Sequence, residues 1–264
     1  MNTATRIAAA ATVVLSFAAG ISHAQTYPNK PVRLLIGFAA GGGVDVTARI
    51  VAQKLSEVWG QQMVPDNRAG AGGTIATDIA AKAPPDGYTL LFCGIWSHGV
   101  APSLYKQLPY DHYRDFAPVS LIGTTPNVLV GNPALPVKTV GEFIANAKAN
   151  PGKITIAHPG VGSSPHLTLE LFRLATRIDI VPVPYKGAAP ALVDLLGGHL
   201  NAMFDNMSSQ LAYLKSGRTR PLAVTSPKRT SHLPDVPTML ESGIQVDVTV
   251  WYGLCSPAKT PPAI

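Results

Sequence analysis

The stretch VRLLIGFAAGGGVDVTARIVAQKLSEV, residues 32–58, passes from an apolar run through a glycine turn into a helical pattern. Residues 32–38 have the length and apolarity of a buried strand. From Val44 onward Val44, Ala48, Val51, Ala52, Leu55 and Val58 recur at helical spacing, and Gly60 marks the stop. The turn between them, Phe38-Ala39-Ala40-Gly41-Gly42-Gly43, is one of three of its kind. Arg68-Ala69-Gly70-Ala71-Gly72-Gly73 and Pro159-Gly160-Val161-Gly162-Ser163-Ser164 are the others. A helix start carries unpaired N–H groups and partial positive charge, so it attracts anions. Glycine lets a ligand come close to the backbone. Three such turns facing one cleft would hold a small carboxylate with no catalytic group.

The pattern repeats outward from this stretch. Residues 62–66 read as a strand, 74–83 as a small-residue helix stopped by Pro84-Pro85, and 88–93 as a strand after the Asp86-Gly87 turn. This β-α-β-α-β order predicts a parallel sheet covered by helices. Extended segments at 118–122 and 127–130 then cross into a second lobe. There helices are expected at 140–149, 165–175, 188–196 and 208–214, and strands at 154–157, 180–183, 200–204 and 222–224. Residues 248–254 read as an extended return to the first lobe. Two α/β lobes joined by extended crossings enclose a cleft, where such folds bind ligands.

The composition agrees with a globular chain rich in turns. Of 264 residues, 46% are hydrophobic and 14% charged, with 24 glycines and 24 prolines, which supports a large core and one or two domains. Arg6, the apolar run over 7–19 and Ser22-His23-Ala24 read as a secretory signal peptide, with cleavage expected before Gln25. No later segment is long and apolar enough to span a bilayer. The net charge of +6 is scattered, without the basic stripe and interleaved aromatics of a nucleic-acid binder. Cys93 and Cys255, the two cysteines, can form one disulfide or be two small core residues.

Each polar candidate carries two readings. Ser163-Ser164-Pro165 reads as a serine cap followed by proline at the first helical position. Its hydroxyls serve the protein's own backbone, a ligand, or both. Asp45, in the first helical turn, complements the helix dipole or accepts from a ligand hydroxyl or ammonium. Asp205-Asn206 follows an apolar strand and is either a turn or part of the cleft wall. No turn completes a dinucleotide or phosphate-loop fingerprint. Ile95-Trp96-Ser97-His98-Gly99 lacks the first glycine of a nucleophile elbow, and adjacency alone does not place the His98 ring on the Ser97 hydroxyl. The segment is expected to line the cleft, with Trp96 as an apolar wall. The seven histidines show no tight ligand spacing, so no metal is expected.

Read together, FAAGGGVDVTAR, DNRAGAGGTIATDIAAKAPPDGYTLL, PGKITIAHPGVGSSPHLTLELF, VPVPYKGAAPALVDLLGGHLNAMFD, LAVTSPKRTSHLPDVPTMLESG and WYGLCSPAKTPPAI resemble the TctC-like, or Bug (Bordetella uptake gene), solute receptors of tripartite tricarboxylate transporters. The resemblance covers nearly everything after residue 24. It implies an α/β, two-lobed type II periplasmic-binding-protein fold. The signal peptide would occupy 1–24, the first lobe 25–123 with 249–264, and the second lobe 124–248. It implies a periplasmic monomer that captures a small organic carboxylate for membrane permease subunits, with no cofactor, no metal, no nucleic acid and no enzymatic activity. The contacts it implies are Phe38, Ala39, Ala40, Gly41, Gly42 and Asp45, then Trp96 and Ser97, then Gly162, Ser163, Ser164 and His166, and Asp205. Three departures stand out. Asp66 replaces a glutamate before Asn-Arg, and His158-Pro159 replaces a small serine-like pair. Family members also continue past the position of Ile264, so the first lobe is expected to lack part of its cover. The competing reading is an exported serine hydrolase using Ser97. A third is a sensory scaffold whose ligand regulates docking.

Overall fold

The computed structural model describes residues 27–264. The expected signal peptide and its cleavage point lie outside them. The first lobe is built from β1 (Val32–Ile36), α1 (Gly43–Trp59), β2 (Met63–Asn67), α2 (Thr74–Ala81) and β3 (Thr89–Gly94), followed by a helical turn (Ile95–Val100) and short α3 (Ala101–Leu104). Strand β4 (Phe116–Gly131) leads into α4 (Val140–Ala149), β5 (Thr155–His158), α5 (Ser164–Thr176), β6 (Val181–Pro184), α6 (Ala188–Leu196), β7 (Ala202–Asn206), α7 (Met207–Lys215) and β8 (Arg220–Val224). Strand β9 (Thr249–Pro257) returns to the start.

The strands run in the order β2-β1-β3-β9-β4-β7-β5-β6, with β8 also paired to β4. Pairings inside each βαβ unit are parallel, β1 with β2 and β3, and β5 with β6 and β7. Those through β4 and β9 are antiparallel. The two segments expected at 118–122 and 127–130 are one strand of 16 residues. Its N-terminal part pairs with β9 and its C-terminal part with β7 and β8. Pro118 and Pro126 sit on it without breaking it, at or beside places where the register shifts or one partner hands over to the next.

Side-chain alternation fills both faces. In β1, Val32, Leu34 and Ile36 pack with Val44, Ala48 and Ala52 of α1, while Leu35 turns to Ala76 and Ala80 of α2. In β4, Leu129 packs with Phe143, Leu169 and Phe172, while Val128 and Val130 pack with Ala191, Leu192 and Leu195 of α6. Each lobe is thus a sheet between helices, and full burial of each valine, leucine, isoleucine or phenylalanine among these contributes about 1.5–3 kcal/mol.

Strand β1 stops at Ile36, short of the expected end at Phe38, because the chain there passes close to the second glycine turn. A Cβ on Gly37 would lie 2.7 Å from the Gly73 Cα. Cys93 and Cys255 form a disulfide across β3 and β9, with Cα atoms 6.1 Å apart. Leu91 faces Cys255 and Cys93 faces Gly253, so the cysteines are diagonal neighbours on one face. That resolves the two readings their sequence positions left open.

Candidate functional site

Helices α1, α5 and α6 all begin at one hollow between the lobes. It is lined by Phe38, Gly42, Gly43, Val44, Trp96, Pro159, Ser163, Ser164, Pro165, Ala188, Asp205 and Asn206. Helix α1 has Gly42 as its cap, with no capping side chain, and α6 starts after Gly187 in the same way. Among the described residues nothing accepts a hydrogen bond from the amides of Gly43, Val44, Ser164 or Ala188. These donors sit at the positive ends of their helices. The hollow is small, about 20 Å³, room for about one water. Phe38 and Pro159 also line an outer hollow of about 150 Å³, walled by Gly37, Ala69 to Gly73, Tyr105, Gly160, Val161, Tyr185 and Lys186. The first and third glycine turns therefore meet at the inner hollow. The second faces the outer one.

Other turn amides are engaged within the protein. Gly41 N–H donates to Asp45 at 2.9 Å. Asp45 also accepts from Arg49 at 2.9 Å and Asn67 at 2.8 Å. Burial pushes its carboxyl up, but these bonds outweigh burial and hold it below the usual carboxylate range. Gly160 N–H donates to His158 Nδ1 and Gly162 N–H to His166 Nδ1, each at 3.3 Å. The two rings lie 4.6 Å apart. Ser163 is the cap of α5, one residue earlier than the sequence reading placed it, and Pro165 is the second residue of the helix. The Ser163 hydroxyl donates to Gly160 O at 2.7 Å and accepts from His166 N–H at 3.3 Å. It is spent on the backbone, while the Ser164 amide stays open.

Strand β7 ends beneath the hollow at Asp205 and Asn206. Asp205 is fully buried and accepts from Asn206 N–H at 2.8 Å, Ser209 Oγ at 2.5 Å and Gln210 Nε2 at 2.8 Å. Burial pushes its carboxyl up to about 6 against the pull of those three donors. Asn206 Nδ2 donates to Asn127 Oδ1 at 2.8 Å, and Asn127 Nδ2 to Thr168 at 2.7 Å. This network fixes the floor of the hollow. Its apolar wall is Trp96, edge-on to Phe38 at 5.3 Å and packed on Tyr252 at 5.8 Å.

Ser97 points elsewhere. The structure does place the neighbouring ring on it, with Oγ 2.8 Å from His98 Nδ1, a point that adjacency in the sequence left open. The backbone turn over Ile95–Val100 brings the two side chains to one side. Yet Ser97 is fully buried, and the same oxygen is bonded to the Gly94 backbone. Burial pushes the His98 ring down to about 4. No substrate carbonyl can approach a hydroxyl so enclosed.

Of the positions the resemblance implies, Phe38, Gly42, Trp96, Ser163, Ser164 and Asp205 line the inner hollow. Ala39, Ala40, Gly41, Asp45, Ser97, Gly162 and His166 line neither hollow. Val44, Pro165 and Ala188 were missed, as were the outer-wall residues Tyr185 and Lys186. The helical start after Gly187 was the one signal that could have found Ala188. Among the described residues no three His, Cys, Asp or Glu side chains group to hold a metal.

Residues 47–264 match the family described as the tripartite tricarboxylate transporter family receptor. Protein BugT of Bordetella pertussis is 44% identical over 243 residues, 91% of this chain and 74% of that protein. An R. palustris protein solved with adipate is 38% identical, with a TM-score of 0.87 over 90% of this chain and 80% of its own. The protein MatC of Rhodopseudomonas palustris, solved with bound malate, is 32% identical, with a TM-score of 0.84 over 90% and 81%. These are solute-binding receptors, not enzymes.

Proposed function

The chain belongs to the tripartite tricarboxylate transporter receptor family, and from that premise we propose that it is a periplasmic receptor that closes on a small organic carboxylate and presents it to membrane permease subunits. It acts as a monomer after removal of residues 1–24. Residues 25–123 with 249–264 form one lobe, and 124–248 the other. The observation that carries this reading is the set of unpartnered amides on Gly43, Val44, Ser164 and Ala188 at one hollow. They come from three helix starts in two lobes, so a carboxylate gains most when both lobes reach it. The inner hollow is small, so a guest enters an open form and the lobes close afterwards. Trp96 and Phe38 cover the guest's apolar part. The relatives solved with adipate and malate fit a guest of this chemistry.

Thermal unfolding in the presence of di- and tricarboxylates, aromatic acids and amino acids tests the proposal. A true ligand at ~100 times its Kd stabilises by about 2.7 kcal/mol. A chain that unfolds unchanged with every carboxylate overturns it.

A further inference from the structure

We propose that Ser208 and Tyr252 are positioning residues for ligand capture: a hydrogen bond between them forms in the last step of closure and holds the lobes on the guest. The inference rests on the receptor reading and deepens it. Tyr252 lies on β9 and is 2% exposed. Its ring is packed on Trp96 at 5.8 Å and on Phe92 at 5.6 Å. Its hydroxyl is buried and finds no hydrogen-bond partner among the described residues. A buried hydroxyl left unpaired is costly, so it marks a bond that another state of the molecule makes. The side chain that faces it is Ser208 of α7. Burial pushes the Tyr252 phenol up, and the Ser208 hydroxyl draws it part of the way back. The two groups are neighbours, short of a bond.

Ser208 already reaches across the gap between lobes. Its hydroxyl donates to Gly43 O at 3.4 Å, which is long for an O–H···O bond. Its lone pairs stay free to accept from Tyr252, so one hydroxyl ties α7 to both α1 and β9. The Tyr252 ring is held by its neighbours, and the bond therefore waits for α7 to approach. A guest supplies that approach. Helix α7 follows directly from Asn206 in the floor of the inner hollow, while Gly43 and Ser164 present open amides from opposite lobes. A carboxylate that draws those amides together tightens the Gly43–Ser208 contact and brings Ser208 onto Tyr252. The bond then favours the liganded form over the empty one, as coupling to binding requires.

The test reads binding and folding on the wild type, Tyr252→Phe, Ser208→Ala and the double variant. Adipate, malate and the other acids of the thermal-unfolding panel are the probes, and the one that binds the wild type most tightly is carried to the variants. Tyr252→Phe should weaken its binding by about threefold to tenfold, the worth of one hydrogen bond, through faster dissociation at a nearly unchanged association rate. The unliganded stability of Tyr252→Phe in urea should equal or exceed that of the wild type, because the variant loses a hydroxyl with no partner. Adding Tyr252→Phe to Ser208→Ala should cost no further affinity. Unchanged affinity in Tyr252→Phe, an undiminished effect of Tyr252→Phe on the Ser208→Ala background, or a loss of unliganded stability in Tyr252→Phe overturns the inference and leaves the receptor reading standing. Failure of every acid to bind the wild type overturns both.

Discussion

At the scale of single residues, burial is the largest influence on the protonation of His98, His158 and Asp205. Burial pushes His98 and His158 each down to about 4. Each ring is thus neutral in the fold and takes up its proton more readily when unfolded. Their contribution is present above the ordinary histidine value and is lost as pH falls through that range toward 4. Asp205 runs the other way. Burial pushes its carboxyl up to about 6 from 3.8, so the fold favours its protonated form. Its contribution is present at low pH and is lost as pH rises through 6. Two histidines oppose one aspartate, so wild-type stability should rise between pH 4.5 and 6.5. Asp205→Asn keeps an acceptor for Ser209 and Gln210 and removes the opposing slope. Urea unfolding at several pH values should give a steeper rise for that variant. An unchanged or shallower rise would show that Asp205 ionises in the fold as freely as in the unfolded chain.

At the scale of elements, α5 shows how a helix start divides its labour. Ser163 caps the helix and ties down Gly160, while Ser164 follows with an open amide. Ser163→Ala should cost about 1 kcal/mol of stability, within the usual range of about 0.5–2 for a lost cap. It should also weaken ligand binding, because the turn that presents the Ser164 amide loses its tie. Denaturant midpoints and Kd measured on the same variant check both. A stable variant with normal affinity would mean that the turn holds its shape without the hydroxyl.

At the scale of the whole molecule, closure depends on Gly43. A Cβ there would lie 2.6 Å from Ser208 Oγ and 2.8 Å from Asn206 Cβ, across the gap between lobes. Alanine suits the start of α1 better than glycine does, by up to about 1 kcal/mol. Gly43→Ala should therefore leave the unliganded protein at least as stable, yet hold the lobes apart. Small-angle scattering at saturating carboxylate should show a larger radius of gyration than the wild type, and Kd should rise about tenfold. Full compaction with unchanged affinity would show that the neighbouring side chains yield.

The sequence alone determined the alternation of strands and helices, down to the bounds of Val140–Ala149 and Ala188–Leu196, because periodicity and glycine or proline stops are local signals. It also determined the three glycine turns and the family resemblance. Only the tertiary structure decided which amides remain open. Asp45, His158 and His166 occupy Gly41, Gly160 and Gly162, and no spacing rule announces that a side chain will fold back onto its own turn. Tertiary structure likewise decided that Ser97 is sealed, that Cys93 and Cys255 meet across 162 residues of chain, and that Ala188 and Lys186 join the cleft. Those outcomes depend on which strands lie side by side. Long-range pairing follows from burying both lobes' cores together, a property of the whole packed chain that no single segment encodes.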